Sequence, residues 1–400
     1  MISLWLVLLV VFLDWMGIGL VYPMFSSMLF NEEFPLLDLT ATQDMRGTYL
    51  GILLAAMPLA QFFSGPALGT LSDQKGRKPL FILSLCLAIL AYALSAFGVF
   101  LGSIWILIAS RLLTGLAAGN ASVVSATIAD LSTTENKAQH FGLYSAACGV
   151  GFTVGPFLGG ILSRTNFALP FIVAGAATLL NLILLYLFFK ETNTHRKESK
   201  IQIGKGLRNL KKAFQAPSLR AIFLTILIFC FGWSFFDEFI PVTWIHDYNF
   251  DPGQIGFFFA YGAGFYALSS AILIRPIIKR FDNRSVFFYT LILLGTIFLA
   301  LLSSPSVIWV WIYMPVINIL IALIFPTSLT MVSDWAEKDS QGETLGILAS
   351  VQAAAFALSP LAGGTLLSYH PHMPMFLGGI SMFLAALILG IMLRKEIFSK

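Results

Sequence analysis

Long apolar runs recur along the whole chain, each closed by a short polar stretch. Twelve are long enough to cross a bilayer: residues 4–27, 46–68, 80–100, 103–128, 139–162, 168–189, 219–242, 254–275, 285–303, 306–331, 343–367 and 374–393. A helical span needs about 20 mostly apolar residues. None of the runs shows the period-two alternation of a membrane barrel. The pattern predicts an all-α membrane protein with twelve transmembrane helices. The first run, MISLWLVLLVVFLDWMG, lacks a basic leader and carries Asp14 within its apolar stretch. It reads as a retained first span rather than a cleaved signal.

The polar stretches organise these runs. The longest, residues 191–220, follows the sixth run and contains KGLRNLKKAF. It predicts two six-helix bundles, 1–190 and 219–400, joined by a cytoplasmic linker at 191–218. The basic segment could lie as a helix on the anionic inner leaflet or serve as a solvated linker that fixes topology, two compatible readings. With the N-terminus inside, 21 of the 24 Lys and Arg residues fall on the cytoplasmic side, including Lys338, Lys395 and Lys400. That bias places both termini in the cytoplasm. Arg46 and Arg164 then lie outside, and Arg111 lies within a span.

The halves repeat one another. Asp130, Gly142, Pro156, Gly159 and Gly160 recur 204 residues later as Asp334, Gly346, Pro360, Gly363 and Gly364. Repeated bundles of this kind are the architecture of secondary transporters.

Composition narrows the class. The chain is 58% hydrophobic and 11% charged, against about 25% charged in a soluble domain. A soluble fold of this size is excluded. The net charge of +4, spread over short segments, argues against a nucleic-acid partner. Cys86, Cys148 and Cys230 all fall inside spans, where they read as packing residues rather than disulfide or zinc ligands. No P-loop, Ser–His pair or metal-ligand spacing is read here. The expectation is a monomeric non-enzyme with no cofactor and no metal, whose partners are lipid, protons and a small molecule. His140, at the inner start of span 5, reads as structural.

Two glycine-bearing segments stand out. Residues 69–81 read GTLSDQKGRKPLF. Asp73 at a helix end beside Lys75, Arg77 and Lys78 can form charge-assisted contacts that differ between two states. Gly69 and Gly76 permit close approach and a tight turn. Residues 142–162 read GLYSAACGVGFTVGPFLGGIL. Their glycines, many spaced by four, form a groove in which another helix can pack backbone to backbone, and Pro156 bends the helix.

The first segment matches, at Gly69, Leu71, Ser72, Asp73, Gly76, Arg77 and Lys78, the signature loop of the major facilitator superfamily. The resemblance implies the superfamily fold and a gating role for Gly69, Asp73, Gly76, Arg77 and Lys78. The second segment resembles the antiporter motif of that superfamily's drug/proton antiporters at Gly142, Gly151, Gly155, Pro156, Gly159 and Gly160. It implies export. Asp14, Gly17, Gly19 and Pro23 resemble the first span of twelve-span drug/proton antiporters, tetracycline-efflux proteins especially, and Arg111 with Gly115 resembles the span-4 arginine motif. Those proteins carry acids in spans 3 and 9 and a histidine in span 8. Here these are absent, so the resemblance implies drug/proton antiport without implying tetracycline.

Ionisable groups at membrane depth are costly and mark function. Asp14 lies roughly 15 Å into span 1. Asp14 and Arg111 are expected to face one cavity, with Asp14 carrying the proton; a fixed Asp14–Arg111 pair locking spans 1 and 4 is the alternative. Asp237 and Glu238, in span 7 before Pro241, offer a second proton site or a cation-binding site, or else reach the outer water. Tyr22, Gln61, Asn120, Trp233, Phe236, Asn318 and Gln352 are the candidate cavity residues, suited by their aromatic and amide groups to amphipathic ligands. The expected function is proton-coupled export of an amphipathic or drug-like molecule across a bacterial inner membrane, with antibiotic resistance as the consequence. The alternatives are a metabolite transporter of the same fold, symport included, and a non-transporting membrane receptor.

Overall fold

The computed structural model describes residues 2–30, 36–38, 40–133, 135–193, 204–215, 219–304, 306–335 and 341–399. The helices are α1 (Ile2–Phe30), α2 (Gln43–Lys75), α3 (Arg77–Phe100), α4 (Ile104–Ala118), α5 (Ala121–Asp130), α6 (Lys137–Ser163), α7 (Leu169–Phe188) and α8 (Lys205–Gln215). They continue as α9 (Arg220–Tyr248), α10 (Pro252–Ile272), α11 (Ile274–Arg280), α12 (Asn283–Leu302), α13 (Ile308–Trp335), α14 (Gln341–Leu366) and α15 (Met373–Ser399). Among the described residues, twelve helical stretches are long and apolar enough to cross a membrane, each overlapping one predicted run.

Two predicted spans are interrupted. The fourth divides into α4 and α5 at Gly119 and Asn120, where the Asn120 amide bonds back to the Ala117 carbonyl and tightens the turn. A side chain at Gly119 would meet Ser64 and Gly65 of α2, so the break accompanies a close helix crossing. The eighth span ends at Ile272 because Pro276 has no amide hydrogen to continue the ladder; α11 carries the chain on from there. Asp282 caps α12 by accepting from the amides of Arg284 and Ser285, as helix N-termini require. The basic segment KGLRNLKKAF lies in a helix, α8, that contacts α14. Asn209 donates to the Gly346 carbonyl (3.3 Å) and the Ser350 hydroxyl (3.0 Å) of α14.

The chain forms two compact units. One comprises Met1–Thr42, Ile52–Lys205 and Asn249–Ala260; the other comprises Gln43–Gly51, Gly206–Tyr248 and Tyr261–Lys400. In the first, α1 packs on α6 and α7, and α3 packs on α4 and α7. In the second, α9 packs on α14 and α15, and α12 packs on α13 and α15. The partner scheme is the same, as the 204-residue repeat requires. The first unit's core joins Val7, Val10 and Val11 to Phe81, Leu85, Val123, Ile128 and Phe189. Leu90, Phe97, Trp105, Leu180 and Leu187 are exposed on their helices, as lipid-facing side chains are. Since lipid is as apolar as leucine, helix association here depends on close packing and polar contacts.

The units depart from the sequence halves at two short segments, and glycine explains both. Gly47 and Gly51, at the start of α2, sit against Pro360 and Gly364 of α14. Gly253 and Gly256, at the start of α10, sit against Pro156, Gly160 and Arg164 of the α6 segment. Asp251 and Gln254 exchange backbone and side-chain hydrogen bonds at the head of α10, a capping box. Arg164 clasps Asp251 with two bonds of 2.9 and 3.0 Å. Partial burial works against the Asp251 charge, yet the Arg164 pair and the Gln254 and Gly253 amides hold its carboxyl below the ordinary aspartate range.

Candidate functional site

In the first unit, Asp14 lies on α1, half-buried. Its carboxylate is within hydrogen-bonding reach of Asn120, the buried residue at the α4–α5 break. The same amide reaches Ser84 at 3.4 Å. Arg111 is buried in α4 and turns to other partners: it donates to the Met57 sulfur at 3.0 Å and lies over the Phe25 ring. Asp14 thus meets Asn120, and Arg111 meets Met57 and Phe25. Tyr92 stands within electrostatic reach of both charges, and its hydroxyl packs on Gly17 of α1. Gly115, one turn beyond Arg111, meets the Met57 carbonyl, so the arginine and glycine of this span both bear on α2.

The glycines of α6 hold α1 in place. A Cβ at Gly151 would strike the Phe12 carbonyl, one at Gly155 the Met16 carbonyl, and one at Gly159 the Leu20 carbonyl. These three form a ladder at one-turn spacing along α1, and Asp14 sits between its first two rungs. Pro156 packs on Gly19. Gly160 faces the other way, onto Gly253 and Gly256. Gly142 has open space around it; the predicted groove does not extend to it. The repeat carries the same division. Gly363 faces Phe239 of α9, Gly364 faces α2, and Gly346 is open like Gly142.

The signature loop is a hub around Arg77. Its guanidinium donates to Asp73 (2.7 Å), to Asp130 (3.0 Å) and to the Ser72 hydroxyl. Arg77 is buried while both acids are partly exposed. Gly76 has φ +104°, in the region that favours glycine, and a side chain there would strike Glu191. Glu191 accepts from the Arg77 and Lys78 amides at 2.8 and 3.0 Å, satisfying the head of α3. Partial burial of Glu191 is outweighed by the amides of Asn193, Arg77, Lys78 and Thr192, which hold its carboxyl below the ordinary glutamate range. Lys78 donates to the Tyr186 carbonyl. Asn193 donates to the Ser72 and Asp73 carbonyls and closes the end of α2. Gly69 packs on Ser122 of α5.

In the second unit, Asp237 and Glu238 are both buried in α9, at 9% and 6% exposure, which overturns the reading that either reaches outer water. Phe236 is buried and stacked at 4.1 Å on Phe298. Trp233, half-buried, tilts against Phe236. Asn318 donates to the Met314 carbonyl and packs on Gly262. Gln352 is half-buried on α14. Gln61, in the first unit, ties α2 to the Ala118 carbonyl at 3.1 Å. Tyr22 and Pro23 belong to α1, but their side chains lie outside the described ones, as does that of Arg275. Lys338, Lys400 and the linker residues 194–203 and 216–218 also lie outside the described residues.

The superfamily profile described as Major Facilitator Superfamily matches residues 4–329 and 222–398. The chain belongs to the Major Facilitator Superfamily. Within it, the chain is 29% identical over 357 residues to the class C tetracycline resistance protein of Escherichia coli, covering 87% of this chain and 85% of that one. It is 28% identical to the quinolone resistance protein NorA of Staphylococcus aureus, covering 96% and 95%. A crystal structure of a D-xylose–proton symporter superposes with a TM-score of 0.77 at 14% identity, covering 97% of each chain.

This superfamily member is a multi-pass membrane transporter and not an enzyme. Several residues of its site escape a reading by sequence. Glu191 and Asn193 stand at the head of the polar linker, and only folding brings them to the signature loop. Tyr92 lies in an apolar span, and its approach to Gly17 follows from helix packing. His246, Asp247, His370 and His372 converge at one end of the second unit, where no metal is expected from the sequence. The signal that was available is the pair of short motifs His246-Asp247 and His370-Pro371-His372, 123 residues apart. His140 meets the Ser132 hydroxyl at 2.8 Å across the α5–α6 connection.

Proposed function

We propose that this transporter is a proton-coupled antiporter that exports a small amphipathic or drug-like molecule from the cytoplasm across a bacterial inner membrane, by alternating access and as a monomer. The observation that carries the reading is Asp14, an ionisable group at membrane depth beside Asn120, on a helix gripped by the Gly151–Gly155–Gly159 ladder. A carboxyl's hold on its proton depends on its desolvation and on nearby cations. A small displacement of α1 against α6, or of Arg111 away from Met57, changes both terms for Asp14. The ladder supports such a displacement, because glycine faces can slide without side chains interlocking.

Arg77 serves as the switch at the cytoplasmic ends of α2, α3 and α5. Its bonds to Asp73 and Asp130 can be exchanged as those ends separate. Asp237 and Glu238 provide further carboxyls for coupling or for a cationic substrate. Gln61 in the first unit, and Trp233, Asn318 and Gln352 in the second, are the candidate polar and aromatic groups of each. The named relatives in drug resistance support this substrate class.

The test uses purified protein in liposomes loaded with a pH dye. Lipophilic cations, tetracyclines, fluoroquinolones and siderophores are added to wild type and to Asp14→Asn. Substrate-dependent proton movement in wild type, lost in the variant, is the expected result. Coupling that persists unchanged in Asp14→Asn overturns the role of Asp14. Co-directional movement of substrate and proton replaces antiport with metabolite symport on the same fold.

A further inference from the structure

At one end of the second unit, two chain segments bring imidazole and carboxylate groups together. His246 and Asp247 lie in the last turn of α9. His370 and His372 lie in the connection between α14 and α15, on either side of Pro371. Asp247 is the hinge of the cluster. One carboxylate oxygen is 2.7 Å from the His246 Nδ1, and the two oxygens are 2.9 and 2.7 Å from the His372 Nε2. One ligating atom from each of these three residues falls within 4.8 Å of the other two. The His370 ring centroid is 4.7 Å from that of His372 and 5.8 Å from that of His246.

We propose that His246, Asp247 and His372, with His370 as a fourth donor, form a binding site for a divalent first-row transition ion, zinc above all. Two or three imidazoles with one carboxylate is a nitrogen-rich donor set. It suits zinc and its neighbours, whereas magnesium and calcium take oxygen ligands. The size is right. Bonds of about 2.0–2.1 Å in a tetrahedral site separate ligand atoms by about 3.3 Å. The hydrogen-bonded pairs, at 2.7 Å, need to open by about 0.6 Å, and the ligand atoms of the three residues already lie within 4.8 Å of one another. The partial exposure of His246, Asp247 and His372 leaves a path of entry.

The site has a mechanical consequence. It ties the end of α9 to the turn that begins α15. Asp237 lies ten residues before Asp247 on the same helix, roughly 15 Å along its axis. An ion bound at the end of α9 therefore restrains the helix that carries Asp237 and Glu238. The argument uses only the second unit and does not depend on Asp14 or on the direction of transport.

The full chain, purified in detergent with a tag that contains no histidine and stripped with EDTA, is titrated with zinc against a chromophoric zinc indicator at neutral pH. One ion per chain is expected. His372→Ala and Asp247→Asn should each weaken binding by about tenfold or more, and His370→Ala by less. Cobalt should give visible ligand-field bands in wild type that vanish in His372→Ala. Zinc should raise the melting temperature of wild type but not of the His246→Ala/His372→Ala double variant. Magnesium or calcium in excess should not compete. Wild type that binds no zinc, or binds no more than the double variant, overturns the proposal whether or not the single variants fold. Displacement of zinc by magnesium or calcium also overturns it.

Discussion

Asp14 and Glu191 are both carboxylates held by neighbouring amides, and they answer different tests. Asp14→Asn keeps the volume and the hydrogen-bonding reach toward Asn120. It should preserve expression and melting temperature while abolishing substrate-dependent proton movement, as read by the liposome assay. Glu191→Gln removes the anion that satisfies the Arg77 and Lys78 amides. Hydrogen bonds to a charged group contribute about 1.5–3 kcal/mol when buried; with Glu191 largely exposed, the loss should fall at or below the lower end. Its carboxyl is held below the ordinary glutamate range. Its stabilisation is therefore fully present above that range and is lost as pH falls through the depressed value. The gap in melting temperature between wild type and Glu191→Gln should be open at neutral pH and close in acid. Equal gaps at both pH values would show that the charge of Glu191 does not matter. Asp14, Arg111, Asp237 and Glu238 are legible in the sequence because a charge inside an apolar run has no cheap explanation. Glu191 is not, because it stands in a polar stretch rich in charge, and its partners lie 114 and 113 residues away.

Helix faces decide which glycines matter. Gly155 meets the Met16 carbonyl, whereas Gly142 meets nothing. Gly155→Leu should drive α6 off α1 at a cost of about 1–3 kcal/mol or more and abolish transport. Gly142→Leu should leave melting temperature and transport close to wild type. A scan of both variants by thermal melting and liposome transport checks the contrast, and equal tolerance at the two positions would sink the ladder. The spacing of glycines in span 5 was readable as a groove. Which rungs are filled was not, because that depends on where α1 and α10 cross α6. The break between α4 and α5 was hidden for a similar reason. GLAAGNAS (115–122) is apolar and small enough to pass for continuous helix, and the turn at Asn120 follows from the crossing of Gly119 on α2.

Across the whole chain, the strong bias of Lys and Arg to alternate connections argues for cytoplasmic termini. This is open to a direct test. In a variant lacking the three native cysteines, Tyr369→Cys should react with a membrane-impermeant thiol reagent in intact cells, since Tyr369 is 77% exposed. Gln215→Cys on α8 should react only after permeabilisation. The reverse pattern would invert the topology and move the histidine cluster to the cytoplasmic side.

The sequence by itself determined the twelve spans, the superfamily and the internal repeat. Bilayer thickness turns hydropathy into helix length one segment at a time, and a repeat is a comparison of local patterns. Tertiary structure decided the rest: the partner of Asp14, the acids around Arg77, the burial of Asp237, Glu238 and Phe236, and the meeting of His246, Asp247 and His372. Each of these depends on side chains brought together across long separations, and hydropathy, which scores residues one at a time, carries no information about such meetings.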